Sequence, residues 1–334
     1  GRCNVSFSEA ELPWPPQPNS NAPTTKCGTQ RAAMNKAPAI APDGTIYTVS
    51  RAHLVSRYNY LIAVNPNLIG KWAASLRGRL NDGCGVSEPI GNPGGANANG
   101  GCTAGAMFGF DPGTNEPPPG RILDDDSSTP VIAPDSSIFL GVYTRYNFAQ
   151  GHEFHFSANG DFLNSFNFGW DNTPAIYPHN GTYSVIFKNN HYGGGPNFGT
   201  YCNVDFWCPE RSTKDLLGPQ QFFISQFDPN FNIEWSFKNT NTQSCTRNPD
   251  SSISCVSDHP DGFEWCVNAA VVDANGVVYA NSEDGNLYTI GQGGVLLQKI
   301  FQQQAVGAAY TPVSLDGSGR VYSQNNGVFF AVGK

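Results

Sequence analysis

Five short segments place charged, amide or aromatic side chains just before stretches that alternate like β-strands. They read MNKAP (34–38), ILDDDSSTP (122–130), FGWDNTP (168–174), FEWCVNA (263–269) and GAAYTP (307–312). The carboxylates and amides suit a hard cation such as Ca²⁺, which prefers oxygen ligands. The tryptophans could stack on a flat ligand or a sugar. The candidate ligand-binding residues are Lys36, Asp126, Trp170, Asp171, Glu264, Trp265, Asn268 and Tyr310.

The same positions also have a purely structural interpretation. Asp and Asn are ordinary turn residues, because their short side chains hydrogen-bond the nearby backbone. In that case these side chains would cap strands and hydrogen-bond neighbouring segments of the fold. The sequence leaves both interpretations open.

The chain has nine cysteines. Spacing suggests three loops closed by disulfides, although spacing alone does not fix connectivity. The candidate pairs are Cys84 with Cys102, Cys202 with Cys208, and Cys245 with Cys255. Such a pattern is typical of an oxidising compartment, so we expect a secreted, extracellular or periplasmic protein. Because nine is odd, one thiol is free, paired between chains or bound to something else.

Short catalytic motifs do not identify an activity. The cysteines lack the paired spacing of a zinc site, and neither CxxCH nor GxSxG occurs in the chain. The six histidines show no diagnostic spacing. A copper or iron site built from scattered loop histidines is an alternative that the sequence leaves open.

Composition and charge narrow the class of protein. A chain of 334 residues with 39% hydrophobic content can bury a large core. The 37 glycines and 25 prolines, with only 14% charged residues, favour strands and turns over helices. The net charge of −8 without a basic cluster argues against nucleic acid as a partner. No apolar run approaches the roughly 20 residues of a membrane-spanning helix.

The strands that would position the candidate residues come in a repeated unit. The stretch AAVVDANGVVYA (269–280) reads as a strand, an Asp/Asn-Gly turn and a second strand. A second hairpin follows it, so one unit carries four strands. The first hairpin recurs as PAIAPDGTIYTV (38–49), PVIAPDSSIFLGV (130–142), PAIYPHNGTYSVI (174–186) and PVSLDGSGRVYS (312–323).

A period of about 42 residues with four strands is the signature of a β-propeller blade. We therefore expect an all-β chain that forms a single β-propeller of six four-stranded blades, with five or seven as alternatives. The predicted blades are 38–76, 84–123, 129–166, 173–237, 265–300 and 309–334. The predicted organisation is an N-terminal arm, 1–37, whose segment VSFSEAEL adds a closing strand to the last blade, and a propeller, 38–334, with disulfide-stapled insertions at 188–221 and 238–264.

DANGVVYANSEDGNLYTI (273–290) and AVNPNLIGKW (63–72) resemble the repeat of the PQQ-like propeller family. That repeat reads roughly A-x-D-G-x-V-Y-x-G-S-x-D-G-x-L-Y-A-L-D, then a turn, Gly-Lys and Trp. The resemblance covers most of 38–334 and implies the blade without implying one function. Quinoprotein dehydrogenases of this family are typically eight-bladed, and many carry adjacent cysteines, which this chain lacks. A non-dehydrogenase member without the quinone is therefore expected.

In a propeller the first strand of each blade lines the central channel, so the candidate residues would meet at the channel mouth. The expected function is a non-catalytic binding or assembly scaffold for a protein or glycan partner, such as a subunit of an extracellular complex. One alternative is a metal-dependent hydrolase or oxidoreductase, with the metal held by Asp126, Asp171 and Glu264. A quinone-dependent redox protein is the third. No cofactor is expected, and Ca²⁺ is the cation that would fit the site.

Overall fold

The computed structural model describes residues 30–33, 36–52, 59–76, 128–143, 151–168, 172–191, 220–307 and 311–333. Within these ranges the secondary structure consists of β-strands, and no α-helix occurs. The all-β class predicted from composition and turn chemistry is confirmed. In the same part of the chain no helix is long and apolar enough to cross a membrane.

One compact unit, 1–132, 136–171 and 196–217, contains two antiparallel sheets. In its first sheet both β1 and β2 pair with β3, β1 at the end of β3 and β2 at its start. The strands of this sheet are β1 (Gln30–Ala32), β2 (Ala39–Ile40), β3 (Ile46–Ala52), β4 (Asn59–Val64) and β5 (Gly70–Ser75). The second sheet has the order β6 (Val131–Ile132), β7 (Ile138–Tyr143), β8 (Gly151–Phe156) and β9 (Phe162–Phe168).

The other compact unit, 133–135, 172–195 and 218–334, contains four sheets. Its first sheet has the order β10 (Ala175–His179), β11 (Thr182–His191), β12 (Gln221–Phe227) and β13 (Ile233–Lys238). A two-stranded hairpin follows, β14 (Gln243–Arg247) and β15 (Ile253–Ser257). The next sheet has the order β16 (Val271–Val272), β17 (Val278–Asn281), β18 (Asn286–Gly291) and β19 (Val295–Phe301), and the last has the order β20 (Ser314–Leu315), β21 (Val321–Asn325) and β22 (Val328–Val332).

Four of the predicted blades correspond to sheets in which four consecutive strands pair antiparallel, as propeller blades do. These are the blades predicted at 38–76, 129–166, 173–237 and 265–300. The blade predicted at 309–334 has three strands within the described residues. The blade predicted at 84–123 and the segment VSFSEAEL lie outside the described residues, so the number of blades and the closure of the ring stay predictions.

The repeated Asp closes the first hairpin of the repeat through its own side chain. In the turn before β17, Asp273 Oδ1 accepts hydrogen bonds from the backbone N–H groups of Asn275 at 2.8 Å and Val277 at 2.9 Å. Gly276 then takes a φ of 78°, which glycine adopts without steric cost. The repeat is therefore turn chemistry as well as hydrophobic alternation. The same Asp-to-backbone bond recurs at Asp43, Asp228 and Asp316.

Aromatic side chains fill the space between strands in both units. In the first unit, Phe154 packs edge-on against Phe162 with ring centroids 5.1 Å apart. In the second unit, Phe187 and Phe227 stack at 4.3 Å. Fully burying a side chain of this size stabilises the fold by about 1.5–3 kcal/mol.

The central strand β11 continues further than the sequence predicted. The insertion was predicted to begin at 188, where the polar run Lys188, Asn189, Asn190 follows an apolar stretch, yet β11 runs through His191 with all three side chains buried. The two amides are accommodated because they find buried partners. Asn189 Nδ2 donates to Ser225 Oγ at 3.4 Å, and Asn190 Nδ2 donates to the Trp265 carbonyl at 3.2 Å.

Candidate functional site

In the first unit, the segments that precede β2 and β6 lie side by side. The ammonium of Lys36 donates to the backbone carbonyl of Ser128 at 3.3 Å, and both residues are buried. The N–H of Ala37 donates to the Thr129 hydroxyl, also at 3.3 Å. Lys36 thus bonds to the segment that carries Asp126, although Asp126 itself lies outside the described residues.

In the second unit, the segments that precede β10, β16 and β20 adjoin in the same way. The N–H of Thr173 donates to the Asn268 carbonyl at 2.9 Å, and its hydroxyl donates to Asn268 Oδ1 at 3.3 Å. The N–H of Val313 donates to the Ala269 carbonyl at 3.0 Å. These bonds between neighbouring pre-strand segments are the kind that the structural interpretation of Asn268 predicts. Trp170, Asp171 and Tyr310 lie outside the described residues.

Trp265 does not offer its ring to a ligand. Its side chain is 0% exposed, its indole N–H donates to the Phe222 carbonyl at 3.2 Å, and its ring packs against Tyr288 at 5.1 Å. A second aromatic ring, that of Phe237, lies 6.1 Å away. The prediction that Trp265 stacks on a ligand does not fit this placement, because neighbouring aromatic side chains already occupy the space around its ring.

Glu264 belongs to a cluster that the sequence did not indicate. A carboxylate oxygen of Glu264, the Cys266 sulfur and a carboxylate oxygen of Glu283 lie within 4.8 Å of one another. The turn between β17 and β18 places Glu283 here, and its N–H faces the Glu264 carbonyl at 3.4 Å. Asn190 Nδ2 donates to Glu264 Oε1, also at 3.4 Å. Among the described residues this is the one group of side chains that has the make-up of a metal site.

The electrostatics of this cluster keep its thiol protonated. Burial raises the pKa of Cys266 well above its usual value, and the carboxylates of Glu264 and Glu283 raise it further. Burial also raises the pKa of Glu283, against the opposing effects of the Cys266 thiol, Lys188 and His259. Because the thiolate is the nucleophile and the metal ligand, a protonated Cys266 supplies neither function.

The positive charge of Lys188 also opposes a bound cation. Lys188 is fully buried on β11, and its charge favours the ionised forms of Cys266 and Glu283. An ammonium so placed already balances negative charge that a metal would otherwise neutralise. The cluster therefore has the chemistry of a buried polar network. Of the predicted metal ligands Asp126, Asp171 and Glu264, only Glu264 is described, and no group of metal-binding side chains among the described residues includes a histidine.

Cys266 is the free cysteine among the described residues, and it is only 5% exposed. Sequence reasoning recognised that one thiol was left over but could not say which. The signal available was position, since Cys266 directly follows the buried Trp265 while the other described cysteines lie in a polar hairpin. Its burial excludes a bond to another chain at this residue without local opening of the fold.

The disulfide predicted between Cys245 and Cys255 is confirmed. The two residues lie directly opposite each other in the antiparallel pair β14–β15, and their sulfurs are bonded. The bond ties the two strands of the hairpin 243–257, which we call the stapled hairpin. The other disulfide candidates lie outside the described residues: Cys84, Cys102, Cys202 and Cys208.

One strand of the stapled hairpin is fixed to the sheet that ends in β19. The N–H of Arg247 donates to the Gln303 carbonyl at 2.8 Å, and the N–H of Ala305 donates to the Cys245 carbonyl at 2.8 Å. The Arg247 guanidinium donates to the Phe301 carbonyl at 3.3 Å and lies over the Phe301 ring. The hairpin is therefore held along β14 by backbone bonds as well as by the disulfide.

The other strand, β15, is exposed along its whole length. Ile253 is 48% exposed and Val256 is 65% exposed. Apolar side chains on a rigid, protruding element form the kind of surface that binds another protein. Sequence reasoning placed an insertion here and identified its disulfide, but the exposure of β15 depends on the anchoring of β14, which no local pattern reveals.

A scan against protein-family models finds no match, and a search of curated proteins finds none either. Among solved structures the chain is similar to the Dos1 propeller, with 10% identity and a TM-score of 0.42 over 88% of this chain and 56% of that chain. It is also similar to BamB from Moraxella catarrhalis, with 12% identity and a TM-score of 0.31 over 89% of this chain and 81% of that one. A gluconolactonase from Xanthomonas campestris matches at 11% identity and a TM-score of 0.31, over 88% and 70%.

This chain thus spans a little over half the length of the Dos1 propeller chain. At these identities and TM-scores the likenesses assign neither a family nor an activity to this chain. Membership of the PQQ-like family, expected from the blade repeat, therefore stays a prediction.

Proposed function

We propose that this chain is a β-propeller that acts as a non-catalytic binding scaffold for a protein partner, with the stapled hairpin as its docking element. The observation that carries this proposal is the combination of rigidity and exposure in that hairpin. A disulfide and backbone bonds fix β14, while β15 presents Ile253 and Val256 to solvent. A rigid element loses little conformational entropy on binding, so its apolar contacts count more fully toward affinity.

The finer description of the fold is part of the same proposal. The chain forms one six-bladed ring of the PQQ-like type, and a strand from the arm 1–37 completes the last blade. The repeat of about 42 residues supports this arrangement, as do the four-stranded antiparallel sheets at the predicted positions. An experimental structure with six sheets around one axis would agree with it, and a count of five or seven would overturn it.

The proposed location is outside the reducing cytoplasm, secreted or periplasmic. The Cys245–Cys255 disulfide supports this location, since exposed disulfides persist in oxidising compartments. The partner is proposed to be a protein rather than a glycan, because the exposed hairpin offers aliphatic side chains and no aromatic platform for a sugar ring.

The test compares the affinity-tagged chain with the Ile253→Asp, Val256→Asp double variant, each purified from the native source. Both positions are exposed, so the variant should fold normally. The expected result is a stoichiometric protein partner that is retained by the wild type and lost from the variant. The Leu163→Asp variant, at an exposed position on β9, is the matched control and should keep the partner.

Native mass spectrometry and elemental analysis of the same samples test the metal-dependent alternative. The scaffold proposal expects the partner to be recovered with or without Ca²⁺. A stoichiometric metal together with turnover of a small-molecule substrate would overturn the scaffold proposal. Recovery of the same proteins by wild type and double variant would overturn the role of the stapled hairpin.

A further inference from the structure

The outer edge of β15 has no strand beside it among the described residues. The stapled hairpin forms a two-stranded sheet, in which β15 pairs only with β14. An edge strand presents a row of backbone N–H and C=O groups that can template pairing with another chain.

The register shows which backbone groups of β15 face outward. The Arg247 N–H and the Cys245 carbonyl bond to the 303–305 segment, on the side of β14 away from β15. Cross-strand pairs alternate between bonded and non-bonded, so the residues opposite these two also turn their backbone groups away from the hairpin. Those residues are Ile253 and Cys255, and Ser257 follows with the same period of two.

The outer edge of β15 also lacks the features that normally block pairing. Natural edge strands are protected by charged side chains, proline or β-bulges. The outermost pair in each of the four-stranded sheets contains a register shift, whereas β14 and β15 pair without one. The sequence of β15, Ile-Ser-Cys-Val-Ser, carries neither a charge nor a proline.

One other outermost strand, β22, is similarly uncharged and pairs without a register shift. The closing strand proposed for the arm 1–37 would cover β22. No corresponding segment of this chain is assigned to β15, so its occupant is sought in another protein.

Two carboxylates flank the outer edge of β15 and define the charge of that occupant. Asp250 lies in the turn before the strand, and Asp258 follows its last residue. Hydrogen bonds from Ser252 lower the pKa of Asp250, and bonds from Ser244 and His259 lower the pKa of Asp258. Both side chains are therefore ionised at neutral pH. The single arginine of the hairpin is engaged on the β14 side, so the β15 side is negative.

We propose that β15 binds an extended segment of a partner protein as an added β-strand, with basic residues of that segment beside Asp250 and Asp258. The backbone groups of Ile253, Cys255 and Ser257 would form the ladder, and Ile253 and Val256 would contact alternate apolar side chains of the segment. In this mode main-chain bonds supply affinity, and side-chain contacts supply specificity. This inference rests on the proposed scaffold function and names the class of partner that the hairpin takes.

Proline at an outward-facing position provides a selective test. Ser257→Pro removes an N–H that β14 does not use, and an edge strand tolerates proline at such a position. Ser257→Ala is the matched control, because it changes the side chain and keeps the N–H. The probe is a fluorescein-labelled, acetylated peptide Lys-Thr-Val-Thr-Val-Thr-Lys, and binding is measured by fluorescence anisotropy with the full oxidised chain.

We expect saturable binding of this peptide to the wild type and to Ser257→Ala, and binding about tenfold weaker to Ser257→Pro. Replacing both lysines of the peptide by glutamate should weaken binding at least tenfold, since the end charges would then repel the aspartates. Peptide binding should also protect the amides of residues 253, 255 and 257 from hydrogen exchange. Those of residues 254 and 256 should show no further protection.

No binding of the lysine peptide to the wild type, or equal binding to Ser257→Pro, would overturn strand addition. A partner lost from Ile253→Asp, Val256→Asp but retained by Ser257→Pro would leave the scaffold function standing and would overturn strand addition alone. A partner that ignores all of these substitutions would overturn both. The circular dichroism spectrum and melting temperature of Ser257→Pro, unchanged from wild type, verify that the variant is folded.

Discussion

Removing the Cys245–Cys255 disulfide tests whether the stapled hairpin unfolds together with the body of the protein. The two cysteines are separated by 10 residues along the chain. The loop-entropy relation for a loop of that size gives a loss of about 2.7 kcal/mol in the free energy of unfolding. For a chain of 334 residues that unfolds in one transition, this corresponds to a fall of about 4 °C in Tm.

The Cys245→Ser, Cys255→Ser double variant avoids an unpaired thiol in the hairpin. Differential scanning calorimetry under oxidising conditions measures its Tm against wild type. Ser257→Ala, on the same strand and with an exposed side chain, is the control and should change stability by less than about 0.5 kcal/mol. A Tm within 1 °C of wild type would refute the reasoning, because it would mean that the hairpin opens independently of the core. A fall much larger than about 4 °C would show that the chain unfolds in smaller cooperative parts.

Three further predictions concern residues away from the hairpin. Cys266 should not react with Ellman's reagent in the native protein, and in guanidinium the wild type should yield one more reactive thiol than Cys266→Ser; reaction in the native state would contradict its burial. The pKa of Asp316 is lowered mainly by hydrogen bonds from Ser318 and Arg320, so its contribution to stability is present above about pH 3.8 and is lost as pH falls through its folded pKa. Asp316→Asn should therefore lower the urea midpoint at pH 6 more than at pH 2.5, and equal effects at both would refute this linkage. Gly160→Ala should lower stability more than Gly181→Ala, because both glycines have positive φ but only a Cβ at Gly160 would meet the Trp72 ring, at 2.7 Å; equal urea midpoints would contradict that contact.

Much of the fold could be predicted from the sequence because the repeat records local interactions. The Asp that opens each turn bonds to the backbone a few residues later, so its effect is visible in a short window. Glycines such as Gly276 mark positive φ in the same window. The four-stranded sheets follow from these turns and from the alternation between them. The pairing of β1 with β3 was not predicted, since nothing local distinguishes Gln30–Ala32 as a strand.

The candidate site was harder to predict because its members meet through tertiary structure. Glu264 was identified, but its neighbours Cys266 and Glu283 come from a pre-strand segment and from a turn. Lys188 looked like the start of a loop, because a lysine in a central strand needs a compensating environment that lies elsewhere in the chain. Trp265 was interpreted as an exposed platform, and its burial depends on Phe222 and Tyr288 from two other sheets.

The stapled hairpin lies between these two cases. Its disulfide was predictable, because two cysteines close in sequence on either side of a turn can face each other. The exposed edge of β15 was not, since it depends on the bonds from β14 to the 303–305 segment. A register shift or a charge on β15 would have marked a protected edge, and the sequence Ile-Ser-Cys-Val-Ser carries no such charge.

The measurement that tests the scaffold function most directly is photo-crosslinking from the hairpin in the native source. Benzoylphenylalanine is introduced in place of Val256 in one sample and in place of Leu163 in another, both exposed positions. We predict one dominant crosslinked protein from position 256 that is absent from position 163, with the crosslink mapped to an extended segment bearing basic residues. No crosslink at position 256, or the same products from both positions, would contradict a docking role for the stapled hairpin.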